Sequence, residues 1–311
     1  MRVFVAGATG AVGRPLLPKL VAAGHEVTGT TRSESRTDAI RAAGATPVVV
    51  DALDAAALRD AVGAAAPEVV VHELTALPDR FQPRRKDIYA ATNRLRGEGT
   101  GNLLDAARAA GARRFVCQSI AFACAPGERP EVLDEQAPLN LGAPPPFGEG
   151  VRTIEQMERS VVGADGLEGL VLRYGWFYGP GTYYADDGSS AADVRKRRFP
   201  VIGDGAGLFS FIHTDDAADA TVAAVERGAP GVYNVVDDEP AAMRDWLPAY
   251  AEAIGAPQPR RVPVWLARLI AGKMVAELNR QPGASNAKAK RELGWAPRWA
   301  SWREGFREAP R

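Results

Sequence analysis

A glycine-rich turn at residues 7–13, Gly-Ala-Thr-Gly-Ala-Val-Gly, constrains the fold of this chain more than any other feature. An apolar run with strand-forming residues precedes it at 2–6, and apolar residues at helical spacing follow it. The order of strand, tight turn and helix is typical of a dinucleotide-binding unit. In such a unit Gly7 permits the turn, Gly10 lets the backbone approach a pyrophosphate, and Gly13 lets the helix pack on the strand. We therefore expect a dinucleotide to contact Gly7, Thr9, Gly10, Ala11, Val12 and Gly13.

Charge and hydropathy exclude several classes of partner. Basic and acidic side chains are balanced, 38 of each among 311 residues, so no long-range field favours nucleic acid or an anionic membrane. The one dense basic run, at 195–198, is interpreted as a solvated surface in preference to a phosphate or carboxylate clamp. No stretch approaches the roughly 18 apolar residues of a membrane span, and a strand from residue 2 leaves no room for a signal segment. We expect a cytoplasmic protein.

The cysteines and histidines predict neither a disulfide nor a metal site. Cys117 and Cys124 lie seven residues apart around the end of one predicted strand, which is too far for a disulfide. Two buried thiols in a reducing compartment are expected instead. His25, His72 and His213 are scattered without partners at ligand spacing, so no metal is expected.

Apolar runs and helical patterns alternate along the first 173 residues. Such alternation, with nearly continuous apolar strands, predicts an α/β fold of the Rossmann type, a doubly wound parallel sheet covered by helices on both faces. The predicted strands are 2–6, 25–30, 46–50, 68–72, 114–118 and 168–173, and the predicted helices lie near 11–23, 35–43, 54–65, 87–110 and 149–163.

After residue 174 this rhythm breaks into aromatic and glycine-rich loops at 174–184 and 202–211. We expect a nucleotide-binding domain at 1–173 and a smaller substrate lobe at 174–311, with some return of the chain to the sheet near 209–237. Ligands of doubly wound sheets bind beyond the carboxyl ends of the strands, so the substrate should lie between the two parts. Further patterns predict a strand at 232–236 and helices around 243–254, 263–280 and 286–293.

Motifs along nearly the whole chain resemble those of extended short-chain dehydrogenases/reductases. They are the glycine turn, Asp51 after the third strand, Val70-Val71-His72, and the segments 99–104, 172–180, 211–218 and 288–295. The resemblance implies a Rossmann-type fold, a carboxy-terminal substrate lobe and a nicotinamide cofactor.

The end of the second strand favours NADP(H) over NAD(H). Relatives that prefer NAD place an acidic residue where this chain has Thr31, and Arg32 comes next. A guanidinium suits the charge and geometry of a 2′-phosphate, although Arg32 could also be an ordinary surface residue. The resemblance also places Asp51 and Ala52 at the adenine, and it places Leu74 and Thr75 where the backbone passes the cofactor.

The chain departs from the family at its catalytic residues. The family uses a Ser or Thr after the fifth strand and a Tyr-x-x-x-Lys in the next helix, where the lysine lowers the pKa of the proton-donating tyrosine. The hydroxyl position falls here on Ile120. Counted back from Glu155, the pair falls on Phe147 and Val151, and no shift of register restores it because residues 90–173 contain no tyrosine.

Few residues could act in place of the missing catalytic tyrosine, lysine and hydroxyl. Gln118 and Ser119 end the fifth strand near the expected nicotinamide, where they could hydrogen-bond a carbonyl. Tyr174 and Tyr178 follow the sixth strand, and either phenol could reach the substrate from the opposite side. We take Ser119, Tyr178 and Gln118 as catalytic candidates, and Gln118 and Tyr174 also as cofactor contacts. A structural role is favoured for His213.

The substrate side departs from the family as well. Relatives that act on nucleotide sugars bind the diphosphate through an Asn and an Arg, and the matching positions here are Trp176 and Phe209. Neither offers a charge, so an apolar or aromatic metabolite is expected, bound by Phe122, Phe147, Trp176, Phe177 and Phe209. The alternative is that these rings form the core between the lobes.

Three functions stay open at this point. The first is an NADP(H)-dependent oxidoreductase with a non-standard proton donor. The second is a lyase, isomerase or cyclase that retains the nucleotide, and the third is an NADP-sensing regulator without catalysis. A homodimer with a four-helix interface is possible through 87–110 and 149–163, using apolar Ile154, Met157 and Val161.

Overall fold

The computed structural model describes residues 1–80, 87–271 and 278–308. Its strands are β1 Arg2–Ala6, β2 Glu26–Thr31, β3 Thr46–Val49, β4 Val69–His72, β5 Arg114–Ile120, β6 Val132–Leu133, β7 Glu168–Tyr174, β8 Trp176–Tyr178, β9 Val201–Ile202, β10 Leu208–Phe209, β11 Phe211–His213, β12 Gly231–Val235, β13 Ala241–Ala242, β14 Arg261–Val262 and β15 Gly283–Ala284. Seven of them form one parallel sheet in the order β12-β7-β5-β4-β1-β2-β3. The predicted α/β class is confirmed.

Helices cover both faces of this sheet. The α-helices within the described residues are α1 Gly13–Ala22, α2 Thr37–Ala42, α3 Ala55–Ala65, α4 Ala90–Arg94, α5 Thr100–Ala109, α6 Phe147–Val162, α7 Ser189–Arg195, α8 Thr214–Glu226, α9 Met243–Ala253, α10 Val264–Ala271, α11 Ala287–Leu293 and α12 Trp302–Glu308, of which α7, α9, α10 and α12 lie away from the sheet. A π-helical turn at Leu95–Gly99 joins α4 to α5. One apolar layer lies between the sheet and α1, α8 and α11, and a second lies between the sheet and α3, α5 and α6.

The predicted strands agree with the observed ones to within about two residues, because buried parallel strands are nearly continuous apolar runs. Part of the predicted helix at 263–280 lies outside the described residues. Sequence analysis did not predict α8, whose buried face is mostly alanine, at positions 217, 218, 220, 223 and 224. Side chains this small leave little helical periodicity of hydrophobicity.

The carboxy-terminal half of the chain contributes to both parts of the molecule. β12 pairs with β7 in the main sheet, and α8 packs beside α1. The remaining segments build a lobe around an aromatic core in which Trp246, Phe211 and Tyr250 are almost fully buried. The carboxyl end of β7 leads directly into β8, which pairs with β11 and contributes Tyr178 to the core of this lobe.

The apolar side of α6 and the basic run at 195–198 are the two segments for which the sequence raised the question of a binding partner. Ile154, Met157 and Val161, the apolar residues expected at a dimer interface, are at most 2% exposed and pack inside the chain's own core. They offer no apolar face to a second copy because α6 turns that side to its own sheet. The basic run at 195–198 is exposed, as expected for a solvated surface. No helix within the described residues is long and apolar enough to cross a bilayer.

Candidate dinucleotide and substrate site

The glycine turn forms a cradle that side chains would fill. Gly7 has φ +97°, and a Cβ there would lie 2.7 Å from the backbone of Glu73. A Cβ on Gly13 would collide with the carbonyl oxygen of Gly7. At Gly10, in contrast, a Cβ would meet nothing nearer than that carbonyl oxygen at 3.3 Å, and the residue is exposed. The two ends of the turn are therefore closed, while its middle is open to a ligand.

The start of α1 supplies hydrogen-bond donors to this opening. No described residue accepts a backbone hydrogen bond from Ala11 or Val12, and no side chain caps the helix. Free amides at the positive end of a helix bind phosphate. The cradle and these amides together fit the pyrophosphate of a dinucleotide.

Guanidinium groups lie beside the glycine turn and directly after β2. The Thr31 hydroxyl is buried, accepting from the Ser33 N–H at 3.1 Å and donating to the Ser33 carbonyl, so its role is to shape the loop. Arg32 is exposed and pairs with no described residue. Arg36, which sequence analysis missed, lines a shallow cavity of about 200 Å³ together with Arg14.

The strand ends beside the cradle hold the expected adenine-side residues. Asp51 is exposed at the end of β3, where its Oδ1 accepts from the Leu53 N–H at 3.0 Å. The Ala52 carbonyl accepts from Asn102 Nδ2 at 2.9 Å, which fixes α5 against this loop.

His72 shapes the loop that carries Leu74 and Thr75. The Leu74 N–H donates to His72 Nδ1 at 3.1 Å, and His72 Nε2 lies 3.0 Å from the Thr100 hydroxyl. Burial lowers the pKa of His72 to about 4, so the ring is neutral. Beyond the carboxyl end of β4, Leu74 is half-buried and Thr75 is exposed.

Ser119, expected as a catalytic residue, is tied into a buried ion pair. Its hydroxyl donates to Glu158 Oε1 at 2.7 Å. Arg173 donates to the same carboxylate through Nε at 2.9 Å and Nη2 at 2.6 Å. All three side chains lie under α6, away from solvent, and Ser119 is 2% exposed. Because its only hydroxyl hydrogen is already donated, we do not propose Ser119 as the proton donor.

Gln118 differs from Ser119 because neighbouring strand residues face opposite sides. Its Nε2 is buried and has no hydrogen-bond partner among the described residues. Gln118 is therefore the expected catalytic candidate whose amide nitrogen is not already used in a hydrogen bond to the described residues. Ile120 occupies the next position on the same side and is half-buried.

The two candidate tyrosines lie inside the protein. Tyr174 is fully buried, and its hydroxyl contacts Glu73 and Thr221, so it lies below the cofactor site instead of lining it. Tyr178 is fully buried in the aromatic core of the lobe, against His213 and Phe306 at ring distances of 5.2 and 5.1 Å. Hydrogen bonds hold the Tyr174 phenol and aromatic packing holds the Tyr178 phenol inside the protein.

Three of the expected aromatic residues form one stack. The rings of Phe122 and Trp176 lie 4.1 Å apart and nearly parallel, and Phe209 lies 5.3 Å from Trp176. Phe122 and Trp176 are half-buried. Phe177 packs instead on Tyr174, 5.2 Å away, in the core below the sheet. Phe147 begins α6 and makes no ring contact with the stack among the described residues.

Helix α6 carries its buried acid at Glu158, whereas Glu155 pairs with Arg159 at 2.8 Å on the surface. Counting back from Glu158 moves the expected Tyr and Lys positions to Gly150 and Ile154. Either register leaves α6 without a phenol or an amine.

Gly150 is buried and lies next to Asn93 of α4. A Cβ there would lie 3.5 Å from Asn93 Oδ1, which is buried and has no partner among the described residues. Sequence analysis missed Asn93 because nothing in its local pattern shows that α4 reaches α6.

Comparison with known proteins decides the family. The profile of the NAD dependent epimerase/dehydratase family matches residues 3–235. The chain belongs to this family. The fold of this family member resembles that of the UDP-glucose 4-epimerase from Thermus thermophilus in complex with NAD, with a TM-score of 0.74 and 24% identity, covering 99% of this chain and 97% of that one.

Two relatives of this family member have names that describe reductases. A "3-diazoavenalumate denitrifying reductase" from a Streptomyces species is 52% identical over 98% of this chain and 99% of its own length. A "4-hydroxy-2-methyl-3-oxo-4-farnesyl-3,4-dihydroquinoline-1-oxide ketoreductase" from Stigmatella aurantiaca is 29% identical, over 96% of this chain and 92% of its own length.

Proposed function

We propose that this chain is an NADP(H)-dependent reductase that replaces the diazo group of an aromatic compound by hydrogen and releases N2. The relative with 52% identity over nearly the full length of both chains is named as a reductase of a diazo compound that removes nitrogen. The named reductases among the relatives support the broader class, an NAD(P)-dependent oxidoreductase of the short-chain dehydrogenase/reductase type.

The observation that carries the proposal is the lack of an acid at the family's catalytic positions. When bound, the reduced nicotinamide supplies a hydride, and the balanced reaction is Ar–N2⁺ + NADPH → Ar–H + N2 + NADP⁺. A C–H bond forms from the hydride pair, and the C–N bond breaks with its pair leaving on N2. No proton is consumed, whereas reduction of a carbonyl needs a donor for the alkoxide oxygen. In neither register, Phe147 and Val151 or Gly150 and Ile154, do these positions and Ile120 supply a proton donor, which suits the first reaction and not the second.

The cofactor preference is proposed from charge at the rim of the cradle. Arg36 lines the cavity beside the glycine turn, the exposed Arg32 directly follows β2, and Thr31 stands in place of the acid that NAD-preferring relatives use for the ribose hydroxyls. A guanidinium forms charge-assisted hydrogen bonds with a phosphate. These groups support binding of the 2′-phosphate of NADP(H).

The aromatic stack supports an aromatic substrate. The rings of Phe122 and Trp176 already lie nearly parallel at 4.1 Å, and both residues are only half-buried. The flat ring of a substrate can therefore stack on this pair. The free Nε2 of Gln118 at the end of β5 offers a hydrogen bond to an oxygen substituent of that ring. Stacking would orient the ring, and the amide would fix its rotation.

Isotope transfer tests this function. The protein is incubated with a ¹⁵N-labelled hydroxybenzenediazonium salt and with NADPH that carries deuterium at C4 of the nicotinamide. We expect one ¹⁵N2 for each NADPH oxidised, with deuterium on the ring carbon that carried the diazo group. Gly10→Val should abolish the enzymatic rate by filling the opening of the cradle, whereas Gly101→Val, in open space on α5, should retain it.

The alternatives give different results in the same assay. Release of N2 without oxidation of NADPH would favour a lyase or isomerase that retains the nucleotide. Binding of NADPH without any turnover beyond the protein-free rate would favour a sensor. Deuterium on a carbinol carbon, when ketones are supplied instead, would refute the proposed reaction in favour of a ketoreductase.

A further inference from the structure

A buried carboxyl group lies directly below the cradle. Glu73 follows β4, is 6% exposed, and its backbone is the surface against which Gly7 closes. Sequence analysis assigned it no role, because a single acid after an apolar strand carries no signal of burial. A charge on this residue would lie directly below the glycine turn that we expect to hold the pyrophosphate.

The hydrogen bonds around Glu73 can be counted. The Tyr174 hydroxyl oxygen lies 2.9 Å from Glu73 Oε1 and 2.6 Å from Thr221 Oγ1, and Thr221 Oγ1 lies 2.7 Å from the Ala217 carbonyl oxygen. Three short oxygen–oxygen contacts need three hydrogens, and the two hydroxyls supply only two. The third hydrogen must come from the carboxyl group, so that Glu73 donates to Tyr174, Tyr174 to Thr221, and Thr221 to Ala217.

The second carboxyl oxygen supports the same protonation state. Glu73 Oε2 is buried and has no hydrogen-bond partner among the described residues. An ionised carboxylate would leave negative charge on this oxygen without any compensation, which is costly in a buried site. A neutral acid leaves there only a carbonyl oxygen.

We infer that Glu73 is a positioning residue that must stay a neutral acid for the dinucleotide to bind, and that its ionisation releases the cofactor at alkaline pH. Loss of the proton leaves two hydrogens for three oxygen–oxygen contacts and places a negative charge below the glycine turn, which disfavours the phosphates expected there. The inference requires only that the chain binds a nicotinamide dinucleotide, and it does not depend on the substrate.

The surroundings of Glu73 agree with this inference. Burial raises the pKa of Glu73 to about 8. The titratable groups that face it are Tyr174 from β7 and Cys117 from β5, and burial raises the pKa of each of them as well, so both stay neutral.

The charged groups of the helices packed on this face do not compensate a carboxylate at Glu73. Lys19 of α1 pairs with Asp215 and Asp219 of α8. Asp216 accepts from the backbone N–H groups of residues 298 and 299.

Binding of NADPH at two pH values tests the inference. With a pKa of about 8, roughly a tenth of the protein keeps the Glu73 proton at pH 9, so the dissociation constant should rise about tenfold between pH 7 and pH 9 if only the neutral form binds. Glu73→Gln keeps a donor for Tyr174 and cannot ionise, and its dissociation constant should change less than twofold. The control is Glu26→Gln, an exposed acid at the amino end of β2 and thus at the opposite end of the strands from Glu73, which should behave as the wild type.

A second measurement does not depend on the variants or on the cofactor. A ¹³C NMR titration of the glutamate carboxyl groups in the ligand-free wild type should show one group with a midpoint near pH 8, and this signal should be missing from Glu73→Gln. A midpoint below pH 6 for Glu73 would overturn the inference, as would equal loss of NADPH affinity at pH 9 in the wild type and Glu73→Gln. Loss of binding in every protein already at pH 7 would overturn the proposed function together with it.

Discussion

Replacing Glu158 by glutamine should lower the free energy of unfolding by about 3–4 kcal/mol. The carboxylate accepts two hydrogen bonds from Arg173 and one from Ser119, and the side chains of the ion pair are only 7% and 5% exposed. Removing one partner of a buried pair is costly because the other charge stays buried without compensation, about 3–5 kcal/mol in comparable cases. The amide keeps some of the hydrogen bonds, which places the expected loss in the lower part of that range.

Denaturant unfolding at pH 7, followed by circular dichroism, measures this loss, with the surface pair Glu155 and Arg159 as the matched control. Glu155→Gln on the same helix should cost less than about 1 kcal/mol, because exposed pairs contribute little. Combining Glu158→Leu with Arg173→Met should cost less than the sum of the two single changes, since no unpaired charge then remains. A loss below 1 kcal/mol for Glu158→Gln, or strict additivity of the double change, would refute the reasoning.

Three other predictions concern the cofactor, the substrate and pH. Arg32→Ala should raise the dissociation constant of NADPH about tenfold or more and leave that of NADH unchanged. The reason is that a charge-assisted hydrogen bond to the 2′-phosphate contributes roughly 1.5–3 kcal/mol. Isothermal titration calorimetry with both cofactors checks this. Trp176→Leu should raise the KM of an aromatic diazonium compound about threefold to tenfold, because the ring on which the substrate stacks is lost. The control is Trp265→Leu, since Trp265 is 65% exposed on α10, and steady-state kinetics should show the same KM as for the wild type. Burial raises the pKa of Glu73 to about 8 in the folded chain, against 4.5 for a free side chain, so the folded state keeps a proton that the unfolded state loses. The free energy of unfolding should therefore fall as the pH rises from about 4.5 to 8, by roughly 3 kcal/mol at pH 7. Unfolding curves of Glu73→Gln should lack this part of the pH dependence.

Much of the fold could be predicted because its signals are local. A buried parallel strand is a continuous apolar run, and the glycine turn needs backbone conformations that side chains would prevent, so both are visible within a few residues of sequence. The predicted strand at 114–118 is observed at Arg114–Ile120 and that at 168–173 at Glu168–Tyr174. Helix α8 escaped prediction because alanines at its buried positions mask the periodicity.

Local sequence patterns could not predict where the side chain of each site residue points or which residue it contacts. Ser119 and Tyr178 lie in the sequence where catalytic groups belong, yet Ser119 bonds a carboxylate 39 residues away and Tyr178 packs among rings of the lobe. The apolar residues of α6 looked equally suited to a dimer interface and to the core until the helix was seen to turn them to its own sheet.

The sequence by itself determined the nucleotide-binding architecture and the lack of a tyrosine and lysine in α6, because both depend on residue type and short-range spacing. Only the tertiary structure decided that Gln118 stays free and that Glu73 is buried with Tyr174, 101 residues further along the chain. Protonation state and hydrogen-bond partners depend on which segments meet around a group and how far they exclude water, and no local pattern contains that information.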